Sequence, residues 1–154
     1  MVQFDGEVSR HIDASPEQVF AVVTDIARLP DWNRTIQHVV DAPARLEPGS
    51  EWVVQLHIPG RTWNSRSRLE ELDRDQLRFT YRSQTDDDNP SYAAWTWEVR
   101  PDGDGSMVTV GWKGRPMTFW RKALFSHVRK RQLVREVAES IVELERAVVQ
   151  SHPQ

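Results

Sequence analysis

The chain of 154 residues contains no cysteine, and this absence removes several kinds of chemistry. Disulfide bonds, thiolate catalysis and cysteine-ligated metal sites are all excluded. No stretch approaches the run of about 18 apolar residues that a membrane-spanning helix needs. Residues 1–15 also lack the apolar core of a signal peptide. We therefore expect a cytoplasmic protein that does not insert into a membrane.

The chain also has no excess of basic residues, since it contains 20 lysines and arginines and 23 aspartates and glutamates. Nucleic-acid-binding proteins are normally basic across a whole face, so no nucleic-acid partner is expected. Four common functional motifs are absent from the sequence: the serine-hydrolase elbow, the zinc-protease helix, the phosphate-binding loop and the dinucleotide fingerprint. The stretch 102–105 begins like a calcium loop, but Lys113 stands where such a loop needs a glutamate. We expect no metal and no organic cofactor.

The longest stretch with a helical period is Pro116 to Val149. Five apolar residues recur there at steps of three and four, which places them on one stripe of a helix: Val134, Val137, Ile141, Leu144 and Val148. An unbroken helix of this length would measure about 50 Å, whereas a domain of this size is only about 35 to 40 Å across. We therefore predict a break near Ser126, with a short segment at 117–124 and the main helix over 127–149.

Before this helix, apolar and polar residues alternate, which is typical of antiparallel strands with one buried face. The alternation predicts seven strands: Phe4–Ile12, Ile36–Asp41, Glu51–Ile58, Trp63–Glu71, Leu77–Tyr81, Ala93–Val99 and Val108–Trp112. After the first strand, Ser15 and Pro16 begin a helix that runs to about Thr24. A second short helix over Ile26–Arg34 is interrupted at Leu29-Pro30. The result is one α+β domain over residues 1–154.

Several segments carry a resemblance to a known family: ASPEQVF after the first strand, DIARLPDWN in the helix pair, WTWEVRP in the penultimate strand, and the terminal helix. From about Phe4 to Val149, the chain resembles the START-like or Bet v 1-like superfamily (SRPBCC), and within it the polyketide cyclase/dehydrase-like branch. The resemblance implies a helix-grip fold, in which a curved seven-stranded antiparallel sheet wraps around the terminal helix and leaves an apolar cavity. Members bind lipids, sterols, polyketides or hormones, and a few catalyse cyclisation and dehydration.

One motif of the aromatase/cyclases in this group is W-x-S-x-R on a strand, whose arginine points into the cavity. The matching positions here are Trp63, Ser65 and Ser67, so Ser67 replaces the arginine. Arg66 and Arg68 have the other parity of the strand and should face the opposite side. The departure lowers the expectation of that type of cyclase activity and leaves the expected cavity unchanged.

Strand parity and the helix stripe together predict the side chains that face the cavity. They are Trp52, Leu56, Trp63, Ser65, Ser67, Phe79, Tyr81, Trp95, Trp97 and Val110 from the sheet, Val134, Ala138 and Ile141 from the helix, Trp32 at the entrance and Lys130 at the rim. Tyr81 and the two serines are the polar members, suited to orienting a carbonyl or hydroxyl group. The same residues would equally fill a solid core, and the sequence leaves both arrangements open.

His127 projects within roughly 20° of Val134 on the terminal helix. It is therefore a candidate acid or base alongside Tyr81, and a position at the rim of the helix start is the alternative. The first functional hypothesis is the binding of an apolar, aromatic or polyketide/lipid-like small molecule, with or without cofactor-independent cyclase/dehydrase chemistry. The second is a regulatory protein-interaction module whose cavity is filled and which acts through a basic surface of the terminal helix: Arg129, Lys130, Arg131 and Arg135. Under either hypothesis the protein would be a monomer or homodimer.

Overall fold

A computed structural model of the chain describes residues 4–85, 92–115 and 128–151. Seven strands are present: β1 (Phe4–Ile12), β2 (Ile36–Asp41), β3 (Glu51–Ile58), β4 (Arg61–Asp73), β5 (Arg78–Thr85), β6 (Tyr92–Asp102) and β7 (Gly105–Arg115). The helices are α1 (Pro16–Val23), a 3-10 turn (Ile26–Arg28), α2 (Leu29–Trp32) and α3 (Val128–Ser151). The predicted segment at 117–124 and the predicted break near Ser126 lie outside the described residues.

All seven strands form one antiparallel sheet in the order β1-β7-β6-β5-β4-β3-β2. β1 therefore returns to pair with the last strand, and Val8 lies opposite Val110. The long helix α3 packs against β1, α1 and α2. The predicted α+β architecture, with two short helices between the first two strands and a long C-terminal helix against the sheet, is confirmed.

The start of α1 follows from its sequence. The Ser15 hydroxyl accepts a hydrogen bond from the Gln18 backbone N–H at 3.2 Å, and the Gln18 side chain accepts one from the Ser15 N–H at 3.3 Å. Pro16 occupies the first turn, where a missing N–H costs nothing. The predicted capping box is confirmed, and it directs the apolar face of α1 into the core.

The interruption in the second helical segment is also present, but Pro30 has a different role. The 3-10 turn ends at Arg28, and α2 begins at Leu29 with Pro30 in its first turn. Proline therefore opens this helix instead of ending it, because a first-turn residue needs no intrahelical N–H donor. This arrangement turns Trp32 into the interior, where it is buried.

The buried face of α3 differs from the predicted stripe. Among residues 134–150, whose side chains the structure describes, six are buried: Val137, Ser140, Ile141, Leu144, Ala147 and Val148. Val134 is 40% exposed, and Ala138 is only partly buried. At 100° per residue, the mean direction of the buried set lies about 40° from that of the predicted stripe. The predicted direction was wrong because it used only the spacing of large apolar residues. The small residues Ser140 and Ala147 are also buried, and they shift the buried face of α3.

Candidate functional site

A cavity of about 160 Å³ lies between the inner face of the sheet, α2 and α3. A space of this size can hold on the order of ten water molecules. Its wall consists of Leu29, Trp32, Asn33, Thr35, Ile36, Trp52, Val54, Leu56, Ile58, Trp63, Ser65, Ser67, Tyr81, Ser83, Trp95, Trp97, Glu136, Val137 and Ser140. The structure thus leaves space between the inward side chains that the sequence alone could not distinguish from a solid core.

Nine of the residues expected to face a cavity line this one: Trp32, Trp52, Leu56, Trp63, Ser65, Ser67, Tyr81, Trp95 and Trp97. Phe79, Val110 and Ile141 lie in the buried core and not in the wall of the cavity. Val134 and Ala138 are turned away by the rotation of α3, so their expected place in the lining is corrected. Lys130 belongs to α3, but its side chain lies outside the described part of the structure, as does all of His127.

Several lining residues were not among those predicted. Ser83 has the parity of Tyr81 on β5, so extending that strand to Thr85 would have found it. Val54 and Ile58 share the face of Trp52 and were detectable in the same way. The other unpredicted residues come from α2, from the connection after it up to the first residue of β2, and from the rotated face of α3: Leu29, Asn33, Thr35, Ile36, Glu136, Val137 and Ser140. Whether these residues reach the cavity depends on how α2 and α3 pack against the sheet, which the strand pattern does not predict.

The serines of the W-x-S-x-R-like segment are placed as strand parity predicted. Ser65 and Ser67 are buried on the inner face of β4, whereas Arg66 and Arg68 are exposed on the outer face. Neither Arg66 nor Arg68 therefore reaches the cavity. Ser67 contributes a hydroxyl group at the position where the motif has an arginine.

Aromatic rings form a continuous wall across the inner face of the sheet. Trp52 meets the ring of Tyr81 edge-on at 5.2 Å, and Tyr81 stacks on Trp95 at 6.5 Å between ring centres. At the other side, Trp32 of α2 makes an edge contact with Trp97 at 5.3 Å and 79°. Edge and offset contacts of this kind are the arrangements that aromatic rings prefer. The cavity therefore has flat aromatic walls.

Tyr81 is the most strongly perturbed titratable group in the site. Its ring borders the cavity but is surrounded by protein, and this desolvation raises the pKa of its hydroxyl from 10.0 to about 12. A hydrogen bond with the Trp97 side chain acts in the opposite direction and lowers the pKa by a smaller amount. Tyr81 is therefore a neutral hydroxyl near neutral pH, able to donate a hydrogen bond but not to act as a base.

The basic helix surface is described only in part. Arg135 is exposed on α3, and nearby Glu139 makes an ion pair with Arg34 at 3.7 Å. The side chains of the neighbouring basic residues, Arg129, Lys130 and Arg131, lie outside the described part of the chain. An exposed ion pair of this length contributes little to stability.

Within the described part of the chain, no helix combines the length and the apolar character that crossing a lipid bilayer requires.

Comparison with known proteins places nearly the whole chain in one family. Residues 3–149 match the family model described as polyketide cyclase / dehydrase and lipid transport. A curated relative, the actinorhodin polyketide synthase bifunctional cyclase/dehydratase of Streptomyces coelicolor, is 34% identical over an alignment of 90 residues that covers 55% of this chain. The aligned part is 27% of that relative, so the match spans about a quarter of its length.

Solved structures show the same fold at low sequence identity. A protein of Thermus thermophilus has a TM-score of 0.77 at 19% identity, over 96% of this chain and 99% of that one. The di-domain ARO/CYC protein BexL has a TM-score of 0.75 at 16% identity, over 97% of this chain and 48% of that one. Identities this low establish a common fold, and the chemistry of the cavity has to be argued from its own residues.

Proposed function

Because this chain belongs to the polyketide cyclase/dehydrase and lipid transport family, we propose that it binds an apolar, aromatic or polyketide/lipid-like small molecule between the sheet and α3. The observation that carries the proposal is the cavity of about 160 Å³ with its aromatic walls. Flat apolar walls with a few polar groups suit a planar ligand whose orientation is set by hydrogen bonds. The protein would act in the cytoplasm, as a monomer or homodimer, without a metal or an organic cofactor.

The chemistry we propose for a bound ligand is of the cyclase/dehydrase type. Tyr81 would donate a hydrogen bond to a ligand carbonyl and stabilise the negative charge that develops on the oxygen when an enolate forms. Its raised pKa keeps the hydroxyl protonated for this role. His127 remains our proposed proton acceptor. The curated relative named above is itself described as a cyclase/dehydratase, and this supports the same reaction class here.

Binding is tested by tryptophan fluorescence, because Trp32, Trp52, Trp63, Trp95 and Trp97 all line the cavity. The protein is titrated with fatty acids, flavonoids and aromatic polyketides, and saturable quenching by at least one class is expected. Ser140→Leu adds volume inside the cavity and should abolish that quenching. Gln150→Leu adds the same side chain at an exposed position of the same helix and should leave it intact.

The outcomes separate cleanly once urea unfolding has shown that both variants are folded. If no ligand class quenches the wild-type protein, the proposed function is wrong. If a ligand binds Ser140→Leu as well as Gln150→Leu, binding occurs elsewhere and the cavity is not the site. For catalysis, Tyr81→Phe and His127→Ala should each slow the turnover of any substrate found, and unchanged rates would remove these residues from the mechanism.

A further inference from the structure

Strand β1 is an edge of the sheet, and only one of its two sides is paired. It lies against β7 in an antiparallel register without shifts. In an antiparallel strand, alternate residues direct their backbone N–H and C=O groups to opposite sides. From Gly6 to His11, no backbone hydrogen bond to a segment other than β7 is present among the residues that the structure describes. The side of β1 away from β7, which we call the free edge, therefore presents unused donors and acceptors.

The opposite edge strand, β2, has features that disfavour further pairing. It contains six residues, and its register with β3 shifts between Ile36 and His38 and again between Val39 and Asp41. Short length and bulges are common means by which proteins protect a sheet edge. β1 contains nine residues and has no such shift. The free edge of β1 is therefore the more suitable of the two for adding a strand.

Acidic side chains predominate beside the free edge. At the end of β1, the His11 ring contacts the Asp102 carboxylate at 2.7 Å and the Asp13 carboxylate at 2.9 Å, so this cluster stays negative even when the ring is protonated. The charged residues on the outer face of β1 and around its end are Asp5, Glu7, His11, Asp13 and Asp102, with Lys113 opposite Asp5 on β7. Basic side chains of an added strand would therefore meet opposite charge on this face.

The inner face beside the free edge carries apolar side chains and no excess of charge. Val8 packs against the core but is only partly buried. Arg10 makes an ion pair with Glu145 of α3 at 3.6 Å, which neutralises both groups. Val149 lies one helical turn beyond Glu145, on the same side of α3, and is 50% exposed. An added strand would therefore meet apolar surface on its inner face.

We infer that the free edge of β1 binds an extended segment of a partner protein in which basic residues alternate with apolar ones. The segment adds a strand to the sheet, with its basic side chains over the outer face and its apolar side chains beside Val8 and Val149. A second copy of β1 fits less well, because it would bring Asp5 and Glu7 to a surface that is already negative. The interaction goes beyond the proposed function and does not use the cavity.

The probe is a seven-residue peptide that alternates lysine and valine and spans about 24 Å when extended. Isothermal titration calorimetry should give a dissociation constant of about 10 to 100 μM at low salt, and salt should weaken binding by screening the charges. Two comparison peptides separate the contributions. One has glutamate in place of lysine, and the other is N-methylated along its backbone, which keeps the lysines and removes the N–H donors. Both should bind at least about tenfold more weakly.

Two variants and NMR spectra locate the contact. Glu7→Lys reverses a charge on the outer face of β1 and should weaken binding of the lysine–valine peptide about three- to tenfold. Glu47→Lys is the matched control, because it makes the same change at an exposed residue between β2 and β3. It should keep the full affinity. On addition of the peptide, the amide resonances of Gly6 to His11 should shift, and those of β2 should not.

The inference is wrong if the lysine–valine peptide does not bind, or if it shifts the amides of β2 instead of those of β1. Equal binding of the N-methylated peptide also overturns it, because charge alone would then explain the contact. So does equal affinity of Glu7→Lys and Glu47→Lys. Shifts of the β1 amides that depend on protein concentration without peptide would assign the free edge to a second copy of this chain and overturn the basic partner. None of these results bears on ligand binding in the cavity, so the proposed function stands or falls separately.

Discussion

Gly6 lies directly against the indole ring of Trp112, so a Cβ atom at position 6 would overlap the ring. The two residues are opposite each other on β1 and β7, and Trp112 is 2% exposed. Trp112 in turn contacts Trp95 at 5.7 Å between ring centres, and Trp95 lines the cavity. The missing side chain at Gly6 thus helps to fix the aromatic wall.

The first prediction concerns this contact. Gly6→Ala should destabilise the protein by about 1 to 3 kcal/mol, because the Trp112 ring must move out of its place in a closely packed interior. Gly111→Ala is the control on the neighbouring strand, since a Cβ there would meet nothing nearer than the Gly6 carbonyl oxygen at 3.9 Å. Urea unfolding measures both changes. Equal free energies of unfolding for the two variants would show that the overlap has no energetic consequence.

The second prediction tests the orientation of α3. Leu144 is completely buried, so Leu144→Ala should cost about 2 to 5 kcal/mol of folding free energy. Val134 is 40% exposed, and Val134→Ala should change stability by no more than about 0.5 kcal/mol. Thermal and urea unfolding measure both. A cost at Val134 comparable to that at Leu144 would mean that Val134 faces the core.

The third prediction follows from the raised pKa of Tyr81, which burial moves from 10.0 to about 12. Between these two pH values the unfolded chain loses the Tyr81 proton and the folded protein keeps it, so stability falls as the pH rises. Below pH 10.0 Tyr81 is protonated in both states, and its contribution to the free energy of unfolding is fully present. Tyr81→Phe should therefore show a shallower loss of stability across this range in urea unfolding. The same slope in both proteins would argue against a Tyr81 that stays protonated in the folded protein.

The fourth prediction concerns His11 at the end of β1. Hydrogen bonds to Asp102 (2.7 Å) and then to Asp13 (2.9 Å) raise the pKa of its imidazole above 6.5. The protonated ring stabilises the fold below pH 6.5, and this contribution is lost as the pH rises through the folded-state pKa. In an NMR titration, Asp102→Asn should lower the His11 pKa more than Asp13→Asn does. The reverse order would show that Asp13 is the main partner.

Local patterns were reliable where the backbone alone decides the outcome. The parity of β4 separated the buried Ser65 and Ser67 from the exposed Arg66 and Arg68, because side chains of a strand must alternate between its faces. Ser15 and Gln18 marked the start of α1, because a capping box needs only residues three positions apart. In β1, Arg10 broke the apolar alternation, and the structure pairs it with Glu145 of α3 at 3.6 Å.

Patterns were less informative where distant segments meet. Phe79 and Tyr81 have the same parity on β5, yet Phe79 lies in the core and Tyr81 borders the cavity. Asn33 and Glu136 gave no periodic signal, because they reach the cavity through the placement of α2 and α3. Parity tells which face a side chain takes, but not what lies across from it.

The sequence by itself determined the seven strands, the capped first helix, the long terminal helix and the tryptophan-rich inner face, since each depends on spacing along one segment. Only the tertiary structure decided that the inner face borders an open space, that α3 turns Ser140 and not Val134 inward, and that β1 is an edge of the sheet. These properties depend on the distance between packed layers and on hydrogen bonds between segments far apart in the chain, such as that from Trp95 to Ser83.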